Sequence, residues 1–274
     1  MDIGKSLTYI FADPRWLTKV AIGTVVLILS SLLSPILVGI LGYFIFMGYS
    51  LDVVRKVRRG VQYPLPEWQD RWVEWMVQGI KLAAVLFIWA LPAVLLALPL
   101  AFGGVLLDNQ GTEWLGGLLI AGLSCLMVLW AVIVTLVSPA IYIRLAETED
   151  FASGLRFGDI LAFTRQHIGD VIVATIVVWA VSMVVGLLGG LAGLVLCAVG
   201  LLVTIPLAQL YIGLVQAHLY GQIGQRHGAE GADSSLAPEP WAEAGKAGEL
   251  PALGTPAPPP VETSETDADW RGTT

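Results

Sequence analysis

Residues 20–51, VAIGTVVLILSSLLSPILVGILGYFIFMGYSL, contain no charged side chain. As one helix they would be about 48 Å long, against a hydrocarbon core of roughly 30 Å, long for one span and short for two. Three more stretches lack charge in the same way: Leu82–Leu107, Trp114–Ile143 and Val171–Gln225. The last would be about 80 Å as a single helix and must turn back. Gly186, Gly189, Gly190 and Gly193 are where it is expected to do so. Leu82–Ile143 turns at the polar segment Asp108-Asn109-Gln110-Gly111, which has no Lys or Arg.

Charge resolves the first stretch. A single span over 20–51 would put Arg55, Lys56, Arg58 and Arg59 outside and leave the base-free Asp108–Glu113 loop inside, against the positive-inside rule at both ends. A reversal at Ser34-Pro35 keeps that basic cluster on the side of Lys5, Arg15 and Lys19, and proline cannot continue a helix ladder. All fifteen Lys and Arg then fall on one side. The fold class expected is an all-α polytopic membrane bundle of about six helices, near 15–33, 36–58, 80–103, 114–144, 168–187 and 194–224. They form three hairpins with both termini in the cytoplasm. A re-entrant pair in place of the first two helices gives the same sidedness and stays open.

Composition agrees. The chain is 56% hydrophobic and 14% charged, with mean hydropathy +0.75, whereas soluble proteins carry about a quarter charged residues. The net charge of −7 belongs to residues 227–274, where Lys246 and Arg271 face nine acids; residues 1–226 are neutral. The expected division is a membrane-embedded domain at 1–226 and a disordered acidic tail at 227–274, rich in Pro and Ala. Nothing points to nucleic acid. Cys125 and Cys197 lie in apolar stretches, as small hydrophobes rather than a disulfide or metal site. The N-terminal apolar stretch is too long for a signal peptide.

Each hairpin is preceded by a short amphipathic segment on the basic side: Asp2–Phe11, Glu67–Lys81 and Ala152–His167. The second helix of each hairpin carries Pro and then Tyr: Pro35 and Tyr43, Pro139 and Tyr142, Pro206 and Tyr211. These two features suggest a triplicated unit. In Glu67–Lys81 the residues Trp68, Trp72, Trp75 and Gly79 share one helical face, and Glu67 can pair with Arg71. Indoles favour the headgroup region, so this segment is expected in the membrane plane, with Trp68, Trp72 and Trp75 as an interfacial anchor.

Ionisable groups inside spans mark pumps and ion-coupled carriers, and here every Asp, Glu, Lys and Arg sits at an edge or in a loop. No catalytic residues, metal ligands or cofactor site are identified. For His218, near the basic end of the last helix, structural hydrogen bonding is the reading. The candidate intramembrane polar site is a stripe on that helix: Pro206, Gln209, Gly213, Gln216 and Tyr220. Gln209 lies near mid-span, where its amide needs a partner; helix–helix hydrogen bonding is preferred over a lined cavity. Trp89, Trp130 and Trp179 lie mid-span in three helices, with packing or lipid contact as their default.

Arg58-Arg59-Gly60, Leu65-Pro66-Glu67-Trp68 and Gly79-Ile80-Lys81, with Asp2-Ile3-Gly4 and Asp13-Pro14-Arg15-Trp16, resemble a prokaryotic membrane-protein family catalogued as domain of unknown function 4013. The resemblance covers about residues 1–225. It implies a multi-pass protein of bacterial or archaeal plasma membranes and carries over no activity and no functional residue. The expected function is therefore a non-enzymatic accessory or scaffold protein of the plasma membrane. Its partners are membrane lipids and a protein meeting the cytoplasmic helices or tail. The alternative is a carrier or flippase for a neutral or lipid-like substrate.

Overall fold

Asp2 opens the first helix by accepting a hydrogen bond from the Lys5 N–H at 2.8 Å, and the described chain beyond it is helical apart from short connectors and the longer link between Arg58 and Trp72. The structure is a computed structural model that describes residues 1–235 apart from 70, 108–110 and 197–199. The helices are α1 (Ile3–Ala12), α2 (Trp16–Leu33), α3 (Gly39–Arg58), α4 (Trp72–Leu107), α5 (Glu113–Thr148), α6 (Phe157–Gln166), α7 (Ile168–Val195) and α8 (Leu201–Ser235). Short 3-10 turns occupy Ser34–Ile36 and Phe151–Leu155. Among the described residues there is no strand. The chain divides into two units, Met1–Gly231 and Ala232–Thr274, and the helix packing belongs to the first. Of the tail expected to be disordered over 227–274, residues 227–235 instead continue α8; residues 236–274 and most of the Asp108–Gly111 loop lie outside the described residues.

Among the described residues five helices are long and apolar enough to cross a membrane: Trp16–Ile36, Trp72–Leu100, Glu113–Thr148, Ile168–Val195 and Leu201–His227. A membrane location follows. The exposed surface of α5 and α7 fits it, with Leu118, Val128, Ile176, Trp179, Leu187 and Val195 all facing outward. α3 is not one of the five.

Two elements differ from the sequence expectation. Glu67–Lys81 is not a separate helix in the membrane plane: Trp68 precedes α4, and Trp72 onward forms the first turns of that helix, continuous with the apolar run to Leu107. No proline stands between Trp72 and Lys81, and Gly79 is held inside the helix against the Phe44 backbone, so nothing ends the helix there. Gly186, Gly189, Gly190 and Gly193 do not form the last reversal either; α7 runs through them to Val195. Gly189 packs against Thr204 and Ala208, and Gly193 against Leu201 and Thr204. These two glycines bring α7 and α8 close rather than turning the chain, as small residues do between membrane helices.

The core centres on the lower half of α3. Every residue from Gly48 to Arg55 is buried, which a helix achieves only when neighbours surround it. α4 crosses closest: Gly48 abuts the Trp75 backbone and Gly79 abuts the Phe44 backbone. α8 lies along another side, with Gly213 against Phe46 and Gly221 against Val54 and Val57. α2 packs through Ser30, which meets Gly39 and Gly42. Val57 and Tyr49 complete the core with Trp75, Leu82, Ile141, Leu214 and Ile223.

Because a Cβ at Gly48 would collide with backbone that cannot rotate away, Gly48→Val should cost about 1–3 kcal/mol or more. Gly122→Ala on α5, with open space around it, should stay within about 0.5 kcal/mol of the parent. Thermal unfolding of both purified variants in detergent measures the contrast.

Candidate functional site

The connector between α3 and α4 is held extended by Pro64 and Pro66, and its next four polar opportunities all converge on α2 and α3. Lys19 Nζ donates to the Leu65 carbonyl at 2.9 Å. Tyr49 Oη donates to the Pro66 carbonyl at 3.1 Å. The Glu67 carboxylate lies 2.9 Å from both Lys19 Nζ and the Arg15 guanidinium. Trp68 Nε1 donates to the Lys19 carbonyl at 2.9 Å. Lys19 is also 2.6 Å from the Asp13 carboxylate, and the two side chains are only 7% and 3% exposed. A buried ammonium is tolerated only with such full pairing. Glu67 thus pairs with Arg15 and Lys19, not with Arg71 as helical spacing suggests.

Trp68, Trp72 and Trp75 do come together, but against one another rather than against lipid. The Trp68 ring stacks on Tyr49 at 4.4 Å and lies 5.1 Å from Trp72 and 5.3 Å from Trp75. Trp68 and Trp75 are buried, at 7% and 1% exposure. The shared face was legible; its cover is Tyr49 of α3, which no spacing within the segment reveals.

The basic cluster is divided in the same way. Arg55 is buried, donates from Nε to the Ala146 carbonyl at 3.0 Å and meets Glu149 at 2.8 Å and Asp52 at 3.7 Å. Arg71 bridges Asp52 at 2.9 Å and Glu74, whose hydrogen bonds raise its already high basicity further. Arg58 pairs with Glu147 at 2.7 Å. Lys56 is half-buried and Arg59 exposed. Glu149 sits in the left-handed region at φ 55 as the cap of α5, with its carbonyl taking the Lys81 ammonium at 2.8 Å. These groups tie α3, α4 and α5 at one level.

At the same end, α1 runs against α8. His218 Nδ1 is 2.9 Å from Ser6 Oγ, Gln222 Nε2 donates to the Asp2 carbonyl at 3.1 Å, and Tyr9 Oη donates to the Leu214 carbonyl at 3.0 Å. The Tyr9 ring stacks on His218 at 4.2 Å, and burial pushes its phenol well above the ordinary tyrosine value. A cavity of about 650 Å³ beside this cluster is lined by Asp2, Lys5, Gln62, Tyr63, His218 and Gln222 among others. Among the described residues no group of three His, Cys, Asp or Glu side chains is placed to hold a metal ion.

The polar stripe of α8 splits. Gln216 Nε2 donates to Tyr220 Oη at 3.1 Å, and that hydroxyl is 3.0 Å from Ser138 Oγ on α5, with the Tyr142 ring 5.3 Å away. Gly213 seats the Phe46 ring and Pro206 is buried. Gln209 is exposed and stands apart from this chain of bonds. Ser138 was missed; its position beside Pro139, one turn before Tyr142, was the available signal. Trp89 is buried and donates to the Gly154 carbonyl at 3.1 Å, Trp130 donates to the Trp89 carbonyl at 2.9 Å, and Trp179 faces outward. Cys125 is exposed on α5, while Cys197 lies outside the described residues. A second cavity of about 440 Å³ between α1, α2, α7 and α8 is apolar, lined by Phe11, Trp16, Leu188, Ala192, Leu207 and Tyr211 among others.

A family model described as "Protein of unknown function (DUF4013)" matches residues 28–194, well over half of the chain. The chain belongs to this family. The match takes in α3, the Leu65–Trp68 connector and α4 through α7, and leaves out α1, the Asp13–Lys19 segment and α8. No significant match is found among curated proteins or among solved structures.

Lys19→Met leaves Asp13 buried without its partner and should destabilise by about 3–5 kcal/mol, read as a large drop in thermal midpoint. Gln216→Leu removes a bond within α8 that orients the Tyr220 hydroxyl beside Ser138 of α5 and should cost about 1 kcal/mol or less. Gln209→Leu, on an exposed face, should leave the midpoint unchanged in the same assay.

Proposed function

We propose that the chain is a non-enzymatic accessory or scaffold protein of the plasma membrane, with its termini and its charged helix ends in the cytoplasm. The support is the charged layer itself. Lys19, Arg55, Arg58 and Arg71 are each held by carboxylates from other helices or from the same helix end. With α1 fixed on α8 through Ser6 and His218, the basic end is preorganised, and a rigid surface loses little freedom when a partner docks. Membrane lipid surrounds the spans. The protein partner meets α1, α6 or the acidic tail; on α6, Phe157 and Leu161 remain exposed. Residues 1–226 carry as many acids as bases, which leaves no net positive charge to draw nucleic acid.

A carrier or flippase of neutral or lipid-like substrate is the second reading. It is favoured by one observation, the apolar groove of about 440 Å³ in which Gly189 and Ala192 of α7 face Thr204 and Ala208 of α8. An acyl chain fits such a lining.

One pair of measurements separates the two. A photo-crosslinking residue at Leu161 in growing cells should give a discrete protein adduct. The purified chain in phosphatidylcholine vesicles should leave transbilayer exchange of a fluorescent phospholipid at the protein-free rate. Accelerated exchange that Ala192→Phe abolishes, with no adduct at Leu161, replaces the scaffold reading with the carrier.

A further inference from the structure

The geometry points to α2 and α3 as a re-entrant hairpin that enters the cytoplasmic leaflet, turns among its acyl chains and returns, so that only α4, α5, α7 and α8 cross the membrane. This inference rests on the cytoplasmic placement of the charged layer proposed above.

Both arms are tied to that layer and both are short. On α2, Lys19 is fixed by Asp13, Glu67 and the Leu65 carbonyl; from there to Leu33 the helix rises only about 21 Å. On α3, Asp52 is fixed by Arg71; from Gly39 to Asp52 the rise is about 20 Å. Neither reaches across roughly 30 Å of hydrocarbon. The composition of Trp16–Ile36 would suit a span, but its first turn is held within the charged layer. The other four candidate spans behave differently. Lys81 to Leu107, Glu113 to Arg144, Asp170 to Val195 and Leu201 to Arg226 each rise about 38 Å or more.

The tip shows the solvent it suits. Leu33-Ser34-Pro35-Ile36-Leu37-Val38 is nearly all apolar, and Ile36 and Leu37 are 64% and 71% exposed. A reversal in water normally carries polar residues. Here three backbone N–H groups bond within the turn: the Leu37 N–H donates to Ser34, Ile40 to Leu37 and Leu41 to Val38. The Ser34 hydroxyl donates to the Ser31 carbonyl, and Ser31 Oγ meets Tyr43 Oη at 2.9 Å. Internal satisfaction of this kind is what hydrocarbon demands. Gly39 and Gly42 let α3 fold back flush against Ser30 of α2, so the two arms descend together and end on the same side. Four crossings, an even number, then return the chain to the side on which it began.

The test uses the full chain with Cys125 and Cys197 replaced, carrying single cysteines at Ile36 or Val38, neither of which makes a side-chain hydrogen bond. Gln62→Cys and Glu113→Cys report orientation independently. In inside-out and right-side-out vesicles of phosphatidylethanolamine and phosphatidylglycerol, a membrane-impermeant maleimide should label Gln62→Cys only from the cytoplasmic face and Glu113→Cys only from the other. Ile36→Cys and Val38→Cys should label from neither face and react fully after denaturation. Bimane attached there should be quenched by spin-labelled acyl chains of the cytoplasmic leaflet. Labelling of the tip from the face that labels Glu113→Cys establishes two full spans and overturns the hairpin. Labelling from the face that labels Gln62→Cys puts the tip in water and overturns it equally. Reversed labelling of the two reporters refutes the orientation instead, and is read without reference to the tip.

Discussion

Lys19 has almost no access to water, and the chain around it is arranged so that this is tolerable. Removing an ammonium from water costs several kcal/mol unless opposite charge and hydrogen-bond acceptors replace the solvent. Asp13 and Glu67 supply the charge, and the Leu65 carbonyl supplies a third acceptor. Meeting that demand fixes three separate pieces of chain: the α1–α2 corner, the start of α2 and the connector into α4. The Trp68 indole closes the arrangement by donating to the carbonyl of Lys19 itself. All four residues of Leu65-Pro66-Glu67-Trp68 therefore act through α2 or α3, and the motif is an assembly device. Two of its contacts use backbone carbonyls, so the extended path imposed by Pro64 and Pro66 matters as much as the side chains.

From that corner the packing follows. Tyr49 stacks on Trp68 and meets Trp75 edge-on, which sets the angle at which α3 crosses α4. The crossing is then close enough that only glycine fits at positions 48 and 79. Close approach brings Asp52 within reach of Arg71, and Arg55 within reach of Glu149. Charge pairing and glycine contact reinforce each other: either would be weak alone, since exposed pairs contribute little and helices in lipid lack a hydrophobic drive to associate.

The sequence disclosed helices better than it disclosed neighbours. The reversal at Ser34-Pro35 was legible because proline and the basic cluster gave independent signals. Trp68, Trp72 and Trp75 were correctly set on one face, yet periodicity says only that a face is distinct, not whether lipid or Tyr49 covers it. Gln209 and Gln216 illustrate the same limit. They belong to one stripe, but the first faces outward while the second bonds Tyr220 of its own helix, whose hydroxyl in turn meets Ser138. Gly186–Gly193 reads as a turn because glycine breaks helices in water; Gly189 and Gly193 instead serve close packing on α8, and the reversal falls after Val195. Ser138 was hidden because its partner lies on another helix.

The neutrality of residues 1–226 now has a physical cause. Four bases of the layer are each matched by an acid: Lys19 by Asp13, Arg55 by Glu149, Arg58 by Glu147, Arg71 by Asp52. Pairing of this kind could be thought to weaken an orientation argument that counts basic residues. It does not, because acids contribute little to topology, which follows Lys and Arg near the ends of the spans during insertion. Insertion reads the bases before the helices assemble; folding then brings in the acids. The two steps make different demands on the same side chains. A charge that only oriented the chain could sit anywhere along a cytoplasmic loop, whereas Lys19, Arg55 and Arg71 must lie where a carboxylate from elsewhere arrives. In the orientation proposed above, Arg59, exposed at the end of α3, carries only the first demand, and Lys19 carries both.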